Sequence, residues 1–339
     1  MHKARKWALA SAALAAFVAL GGGVAAWLSL TAPLPPPAAD ATFEVQAGTP
    51  LARLAAELGE RRLLPHPRLL TWYARLSGDA TRIHAGEYRI AAGTTPLGLL
   101  EMLVAGNVVL HQLTIVEGWR FADLLAAVRA HPAIRAGEAT APEIMTALGR
   151  SELHPEGQFL PDTYSFAKGT TEMQLLRVAH EALVATLAAA WESRSPETVL
   201  DGPYEALVLA SIIEKETALA AERRLISGVL QRRLQRGMRL QTDPTVIYGL
   251  GESFDGNLRR GDLVRDTPYN TYTRRGLPPT PIALAGAASI AAAVDPAPTD
   301  ALYFVATGEP DGSHRFSATI DEHNEAVRQY LRRLRDGTP

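Results

Sequence analysis

Two carboxylates close a run that is otherwise almost wholly apolar: Leu207-Val208-Leu209-Ala210-Ser211-Ile212-Ile213-Glu214-Lys215-Glu216-Thr217. Good helix formers fill it, and Asp201-Gly202-Pro203 upstream supplies a start signal, with proline tolerated in a first turn. At about 100° per residue, Glu214 shares a face with Leu207, Ala210, Ser211 and Thr217, while Glu216 points roughly the opposite way. A carboxyl on the buried stripe of a helix is costly to ionise, so its pKa should rise. That suits a general acid working near neutral pH. The bland alternative is that Glu214 merely ends an apolar face and reaches solvent, and helix geometry alone leaves both open. Glu216 reads as a surface residue or a support for its neighbour.

Other chemistries are thinly represented. The chain has no cysteine, which excludes disulfides, a thiol nucleophile, a lipoprotein anchor and cysteine metal sites together. No G-x-S-x-G elbow, H-E-x-x-H or Walker loop occurs, and Gly249-Leu250-Gly251 lacks the third glycine of a dinucleotide loop. Of nine histidines only His314 and His323 sit near each other, in positions that suit core or surface better than a metal. No metal or cofactor is therefore expected. What remains is polar-aromatic loops around an embedded glutamate, a mix that suits carbohydrate, since rings stack on sugars and amides bond hydroxyls. An ordinary glycosidase needs a second carboxylate across the bond. Candidates are Glu117, Glu156, Asp162 and Asp243, each equally readable as a cap or turn former.

These groups need a scaffold, and the chain supplies one outside a membrane anchor. Lys3, Arg5 and Lys6 form a basic tail over residues 1–6, and residues 7–30 then run without one charge. As a helix that stretch is about 36 Å, enough for a hydrocarbon core of about 30 Å. No Lys or Arg follows until Arg53, so the positive-inside rule puts the N-terminus in the cytoplasm and the rest outside. A retained anchor is favoured over a signal peptide cleaved near Val24-Ala25-Ala26. Four prolines in 31–41 read as a stiff spacer lifting the body off the membrane. Residues 42–107 read as strand–helix–helix–strand plus a further helix, a small α+β subdomain. Residues 108–339 read as a larger mixed α+β domain, with helices over 121–128, 136–148, 173–191, 223–236 and 319–334 and a hairpin through Asp311-Gly312. The class expected is α+β. A net charge of −2 argues against nucleic acid. The arginines of 223–239 read as a solvated helix face, with attraction of an anionic polymer as the lesser alternative.

Several motifs occur in order: Glu117-Gly118-Trp119; Glu156-Gly157 with Pro161-Asp162-Thr163-Tyr164; Ser211-Ile212-Ile213-Glu214-Lys215-Glu216-Thr217; Gln241-Thr242-Asp243-Pro244-Thr245; Tyr269-Asn270-Thr271-Tyr272; Gly276-Leu277-Pro278-Pro279; and Glu322-His323-Asn324. Together they resemble the endolytic murein transglycosylase (MltG, YceG-like) family over roughly residues 42–335. The subdomain at 42–107, with its Gly48-Thr49-Pro50-Leu51 turn into a helix, resembles a LysM-type glycan-binding fold. The resemblance implies a lyase that cuts the β-1,4 bond between N-acetylmuramic acid and N-acetylglucosamine within peptidoglycan strands and leaves 1,6-anhydro ends. It implies Glu214 as the catalytic acid and then base, which removes the need for a second carboxylate. Gln241, Asn270, Tyr269, Asp162 and Tyr164 are the expected substrate contacts by polarity and loop position. Glycan strands are the implied partner, with peptidoglycan synthases beside them. The readings that compete are a non-catalytic glycan-binding protein and a hydrolytic muramidase. One departure stands out: the family carries Pro-Gly after the Leu-Pro-Pro stretch, where this chain has Ala285-Gly286.

Overall fold

A computed structural model describes residues 2–35, 41–335 and 337. The chain divides into two compact units, Met1–His111 with Ser165–Gly169, and Gln112–Tyr164 with Thr170–Pro339.

The first unit begins with α1 (His2–Thr31). Its segment Leu9–Thr31 is, among the described residues, the one helix long and apolar enough to cross a membrane. Then follow β1 (Ala41–Val45), α2 (Leu51–Glu60), α3 (Pro67–Ser77), β2 (Gly86–Ile90) and α4 (Pro96–Ala105), the order expected from the pattern. The strands are antiparallel, with Phe43 opposite Tyr88 and their rings stacked at 5.7 Å. On α2 the buried residues are Leu51, Leu54, Ala55 and Leu58, the i, i+3, i+4, i+7 stripe of an amphipathic helix. Thr95 caps α4 by accepting from Gly98 N at 3.0 Å, and left-handed Gly106 ends it. Part of the spacer, 36–40, lies outside the described residues. The rest does not lift the unit away from α1. Leu30 and Leu34 are buried in this unit's core, and Leu34 N donates to Thr94 O at 2.7 Å. Two leucines flanking the first prolines give the segment an apolar surface that an extended linker would leave in water.

The second unit carries β3 (Leu110–Thr114), whose start belongs to the first, then α5 (Phe121–Ala130), β4 (Ile134–Arg135), α6 (Ala141–Ala147), β5 (Thr163–Ala167), whose end belongs to the first, and β6 (Thr170–Thr171). Helices α7 (Glu172–Glu192), α8 (Pro203–Glu216), α9 (Ala220–Gln235), α10 (Asp243–Leu250), α11 (Arg260–Val264) and α12 (Ala287–Val294) follow. An antiparallel hairpin, β7 (Tyr303–Ala306) and β8 (His314–Ser317), and α13 (Ile320–Arg335) close the chain. The single helix expected over 136–148 is instead the short α6. Thr140 and Glu143 form a reciprocal capping pair there, and Pro142 in the first turn forbids extension upstream.

Helix α8 is the centre of this unit. Eight consecutive residues, from Ala206 to Ile213, are buried, so no side of it faces solvent along that stretch. They pack with Leu183 of α7, Ile226 and Leu230 of α9, and Ile290 and Ala293 of α12. The arginines of α9 correct the expectation of a solvated face. Arg233 is buried, its guanidinium donates to the carbonyls of Leu302, Arg239 and Leu240, and it lies over the Tyr303 ring. Arg224 and Arg232 pair with Asp295 and Asp300 at 2.9 and 3.0 Å. They tie α9 to the segment that leads into the hairpin.

Candidate functional site

The two carboxylates at the end of α8 meet different surroundings. Glu214 is 6% exposed, and its Oε2 accepts from Gly286 N at 3.0 Å. One turn earlier Ser211 Oγ accepts from Ile282 N at 3.0 Å. This face therefore fastens the 282–286 segment by two backbone N–H groups, and Glu214 sits at the N-terminus of α12, where a carboxylate complements the helix dipole. Glu117 is close by: it and Glu214 each lie 3.9 Å from Arg223 Nη2. Glu117-Gly118-Trp119 joins the same segment through Gly118 N to Leu284 O and Leu284 N to Trp119 O, both 2.8 Å, and Lys215 Nζ donates to Gly118 O. Gly118 holds φ +78°, a left-handed turn that favours glycine. At Gly286 a side chain would run into the Glu117 carboxyl, which explains why glycine stands after Ala285 in the departing loop.

Glu216 points into a cavity of about 540 Å³. Around it are Asp243, Tyr272, Gln241, Arg233, Tyr303, His314, His323 and Asn324. Burial, and then the charge of Asp243, push its carboxyl up to about 8. Glu216 is thus not the surface or supporting residue that helix spacing suggests. It is a protonatable group at neutral pH set in a polar-aromatic hollow. Tyr272 OH donates to Asp243 Oδ1 at 2.6 Å, and desolvation and that bond drive the phenol's own pKa upward. His314 is fixed by Glu222, which accepts from its backbone N at 2.8 Å and lies 2.7 Å from its Nδ1. His323 stacks on Tyr303 at 5.2 Å, and burial lowers its pKa. Hence both neighbouring histidines border the cavity.

The loops that build this wall are stitched by hydroxyls. Thr242 N donates to Thr271 Oγ1 at 3.0 Å, Thr245 Oγ1 lies 2.8 Å from the same atom, and Gln241 N donates to Thr271 O at 3.2 Å. Gln241 carries φ +53°, unusual for a residue with a Cβ, and such strain gathers at functional sites. Its side chain lines the cavity and accepts from Arg233 at 3.3 Å.

The other expected contacts are arranged differently. Asn270 is fully buried: its Nδ2 donates to the carbonyls of Asp262, Leu263 and Arg265, and Oδ1 accepts from Tyr272 N. It staples its own loop and has no donor left over. Tyr164 is buried, gives its hydroxyl to Leu160 O at 2.8 Å, and has its phenol pushed up to about 12. Tyr269 OH lies 2.9 Å from Thr280 Oγ1, and its ring meets Tyr248 edge-on. Asp162 is exposed and turns the chain by accepting from Thr163 N. Among the candidate second carboxylates, Asp243 alone shares the cavity with Glu216. Glu156 is buried, accepts from Phe121 N at 2.9 Å and Tyr248 OH at 3.1 Å, and is raised by desolvation; it holds the start of α5. Tyr272, His314, Tyr303 and Asn324 line the cavity too, and of these Tyr272 and Asn324 carry a sequence signal, the motifs Tyr269-Asn270-Thr271-Tyr272 and Glu322-His323-Asn324.

The assembled picture is of an α+β protein with an apolar N-terminal helix and one neutral-pH carboxylic acid facing a hollow where amides, phenols and imidazoles meet apolar side chains. The chain belongs to the YceG-like family, whose profile matches residues 43–329. An endolytic murein transglycosylase of Bacillus subtilis is 29% identical over 308 residues, covering 85% of this chain and 84% of the relative. One of Streptococcus pneumoniae is 26% identical and covers 86% of this chain, which spans 58% of that longer protein. A crystal structure of a yceG-like protein from Listeria monocytogenes superposes with a TM-score of 0.54 at 28% identity, over 84% of this chain and 98% of that one.

Proposed function

We propose that this chain is an endolytic lytic transglycosylase that cleaves the β-1,4 bond between N-acetylmuramic acid and N-acetylglucosamine inside peptidoglycan strands. The activity carried in the relatives' names supports the class. Glu216 in its cavity carries the chemistry. With its pKa near 8 it is about ten to one protonated at pH 7, so it can give its proton to the glycosidic oxygen as the C1–O bond breaks. The carboxylate so formed then takes the proton of the muramyl 6-hydroxyl, whose oxygen bonds to C1. The product ends in 1,6-anhydromuramic acid, no water is consumed, and Glu216 regains its proton. Burial and then the charge of Asp243 hold the acid's pKa up, and Tyr272 bonds Asp243; Gln241, Asn324 and the Tyr303 ring are the proposed sugar contacts. The first unit is the proposed LysM-like glycan-binding part. Helix α1 is the retained anchor, N-terminus in the cytoplasm, which keeps the enzyme at the outer face of the membrane beside the synthases that extrude new strands.

Two observations support competing assignments. Glu214, the acid implied by the family resemblance, is buried and near Glu117, so the acid could be the other member of the pair. Asp243 beside Glu216 would suit a hydrolytic muramidase with two carboxylates. Mass spectrometry of sacculus digests by wild type, Glu216→Gln and Glu214→Gln tests all of this. Anhydro ends that vanish only with Glu216→Gln support the proposal. Loss only with Glu214→Gln moves the acid, and reducing muramic ends from wild type mean hydrolysis. A protein that binds sacculi and makes no new ends would be a binding protein.

A further inference from the structure

Helix α3 keeps an apolar face in the open. Leu70 and Ala74 turn into the core of the first unit. The opposite stripe, Arg68, Trp72, Arg75 and Leu76, has the i, i+4, i+7, i+8 spacing of one helix face, and all four are exposed. Trp72 is 60% exposed and Leu76 68%. Tryptophan and leucine between arginines is the composition of a helix that lies at a lipid–water boundary.

The seating of α1 says where this face is. Leu30 and Leu34 are buried in the same core, so the unit is fixed to the end of the apolar helix. A cavity of about 700 Å³ has Ala25, Ala26 and Ser29 of α1 on one side and Leu64, Pro67 and Arg68 on the other. A hydrocarbon core of about 30 Å takes about 20 helical residues. Counted from Leu9, where the apolar segment starts, it ends near Leu28. The residues of α1 that face α3 therefore lie at the outer boundary of the hydrocarbon, and the first turn of α3 lies at headgroup level. Trp27, 56% exposed, stands at the same height, as indoles do at membrane boundaries. Charge agrees with this. Arg61, Arg62, Arg68 and Arg75 are exposed around the face, against Glu57 and Glu60, and Glu57 is occupied by Arg53 at 3.1 Å.

We propose that the Arg68–Trp72–Arg75–Leu76 face of α3 rests in the headgroup layer of the anionic bilayer that α1 crosses, its arginines on lipid phosphates and its Trp and Leu below them. The proposal rests on α1 being a retained membrane span. It gives α3 a role distinct from glycan binding: it orients the first unit on the membrane that anchors it.

Because the chain lacks cysteine, single labels are available. The full chain carrying Leu76→Cys with a nitroxide would be reconstituted in vesicles of zwitterionic and anionic phospholipid. Paramagnetic resonance then compares its access to oxygen and to a water-soluble nickel complex. The expected result is oxygen-dominated access, like that of a label at Trp27→Cys, falling when the anionic lipid is left out. A label at Glu192→Cys on α7 gives the aqueous reference. Nickel-dominated access at position 76, in chain that resists alkaline extraction, overturns the proposal and leaves the anchor standing. Extraction of the chain by alkali overturns the anchor and the proposal together. Protection of the label only after soluble glycan strands are added overturns it in favour of a glycan face.

Discussion

Glu214 and Glu216 are two residues apart on one helix, yet their carboxyls do different work. The Glu214 side is a seam: Ser211 and Glu214 accept the backbone N–H groups of Ile282 and Gly286, and Arg223 and Glu117 close over it. The Glu216 side is a hollow, where burial and Asp243 keep a carboxyl neutral with no backbone N–H donor among the described residues. A carboxylate that accepts a buried N–H is committed to structure. A carboxyl that is desolvated without such a partner keeps its proton to give away.

The sharpest way to break this contrast is to remove each carboxyl in turn. Glu216→Gln should cut release of anhydro-ended fragments about 10²- to 10⁴-fold, the range of a lost general acid. Glu214→Gln should stay within about tenfold of wild type, since an amide oxygen can still accept from Gly286. Reversed values, read by mass spectrometry of digests, would exchange the two roles. Glu216→Gln should also alter stability with pH. Because its folded pKa, about 8, lies above the ordinary glutamate value of 4.5, folding favours the protonated form. The stability from Glu216 is therefore complete below about pH 4.5 and is lost as pH rises through 8. The glutamine variant should gain melting temperature relative to wild type between pH 5 and 8 and gain nothing further above. A constant difference across that window would mean that Glu216 is not held neutral.

On the other side the expected loss is of stability. Glu214→Ala leaves the buried Gly286 N–H without its acceptor, at a cost of about 1–3 kcal/mol. Thermal or urea melts of the detergent-solubilised chain read this directly, and Glu214→Gln should recover most of it. An alanine variant as stable as wild type but inactive would make Glu214 a chemical residue after all.

Much of this scaffold could be read from the chain. Strong periodicity and caps marked the elements of the first unit, the long α7 and the terminal hairpin with α13. Helix geometry also located the pair of glutamates. Spacing alone does not choose between them, for a physical reason: the amphipathic reading assumes that one face of a helix meets solvent, and α8 is buried on every side from Ala206 to Ile213. The side opposite the apolar stripe therefore also leads into the protein, and spacing does not tell Glu216, which lines a cavity, from a surface charge. The expected contacts are hard to read for a different reason. Asn270 and Tyr164 have the polarity of sugar ligands, but their hydrogen bonds are spent on Asp262, Leu263, Arg265 and Leu160, partners set by loop closure rather than by pattern. Gln241, bound for the cavity, carries a signal that only coordinates reveal, its positive φ.

Tyr272→Phe offers a smaller test of the hollow. It removes the 2.6 Å bond to Asp243 but keeps the ring, so Asp243 becomes a freer acceptor beside Glu216. A loss of about three- to tenfold in kcat is expected, below that of a lost acid. The alkaline limb of the pH–rate profile should also shift. An unchanged profile would separate Tyr272 and Asp243 from the control of Glu216.

The smallest effect concerns the strained corner of the cavity. Holding Gln241 at φ +53° costs on the order of 1 kcal/mol for a residue with a Cβ, and glycine escapes that cost while losing more chain entropy on folding. The two nearly cancel, so Gln241→Gly should melt within a few degrees of wild type, whereas Gln241→Ala keeps the strain and should melt at or below it. If the side chain holds sugar in the hollow, both variants lose it, and both should raise KM with little change in kcat, since a binding contact made equally in ground and transition states acts on KM. A glycine variant that melts well below wild type with KM unchanged would instead make Gln241 a part of the scaffold, with its bond to Arg233 as the purpose of the strain.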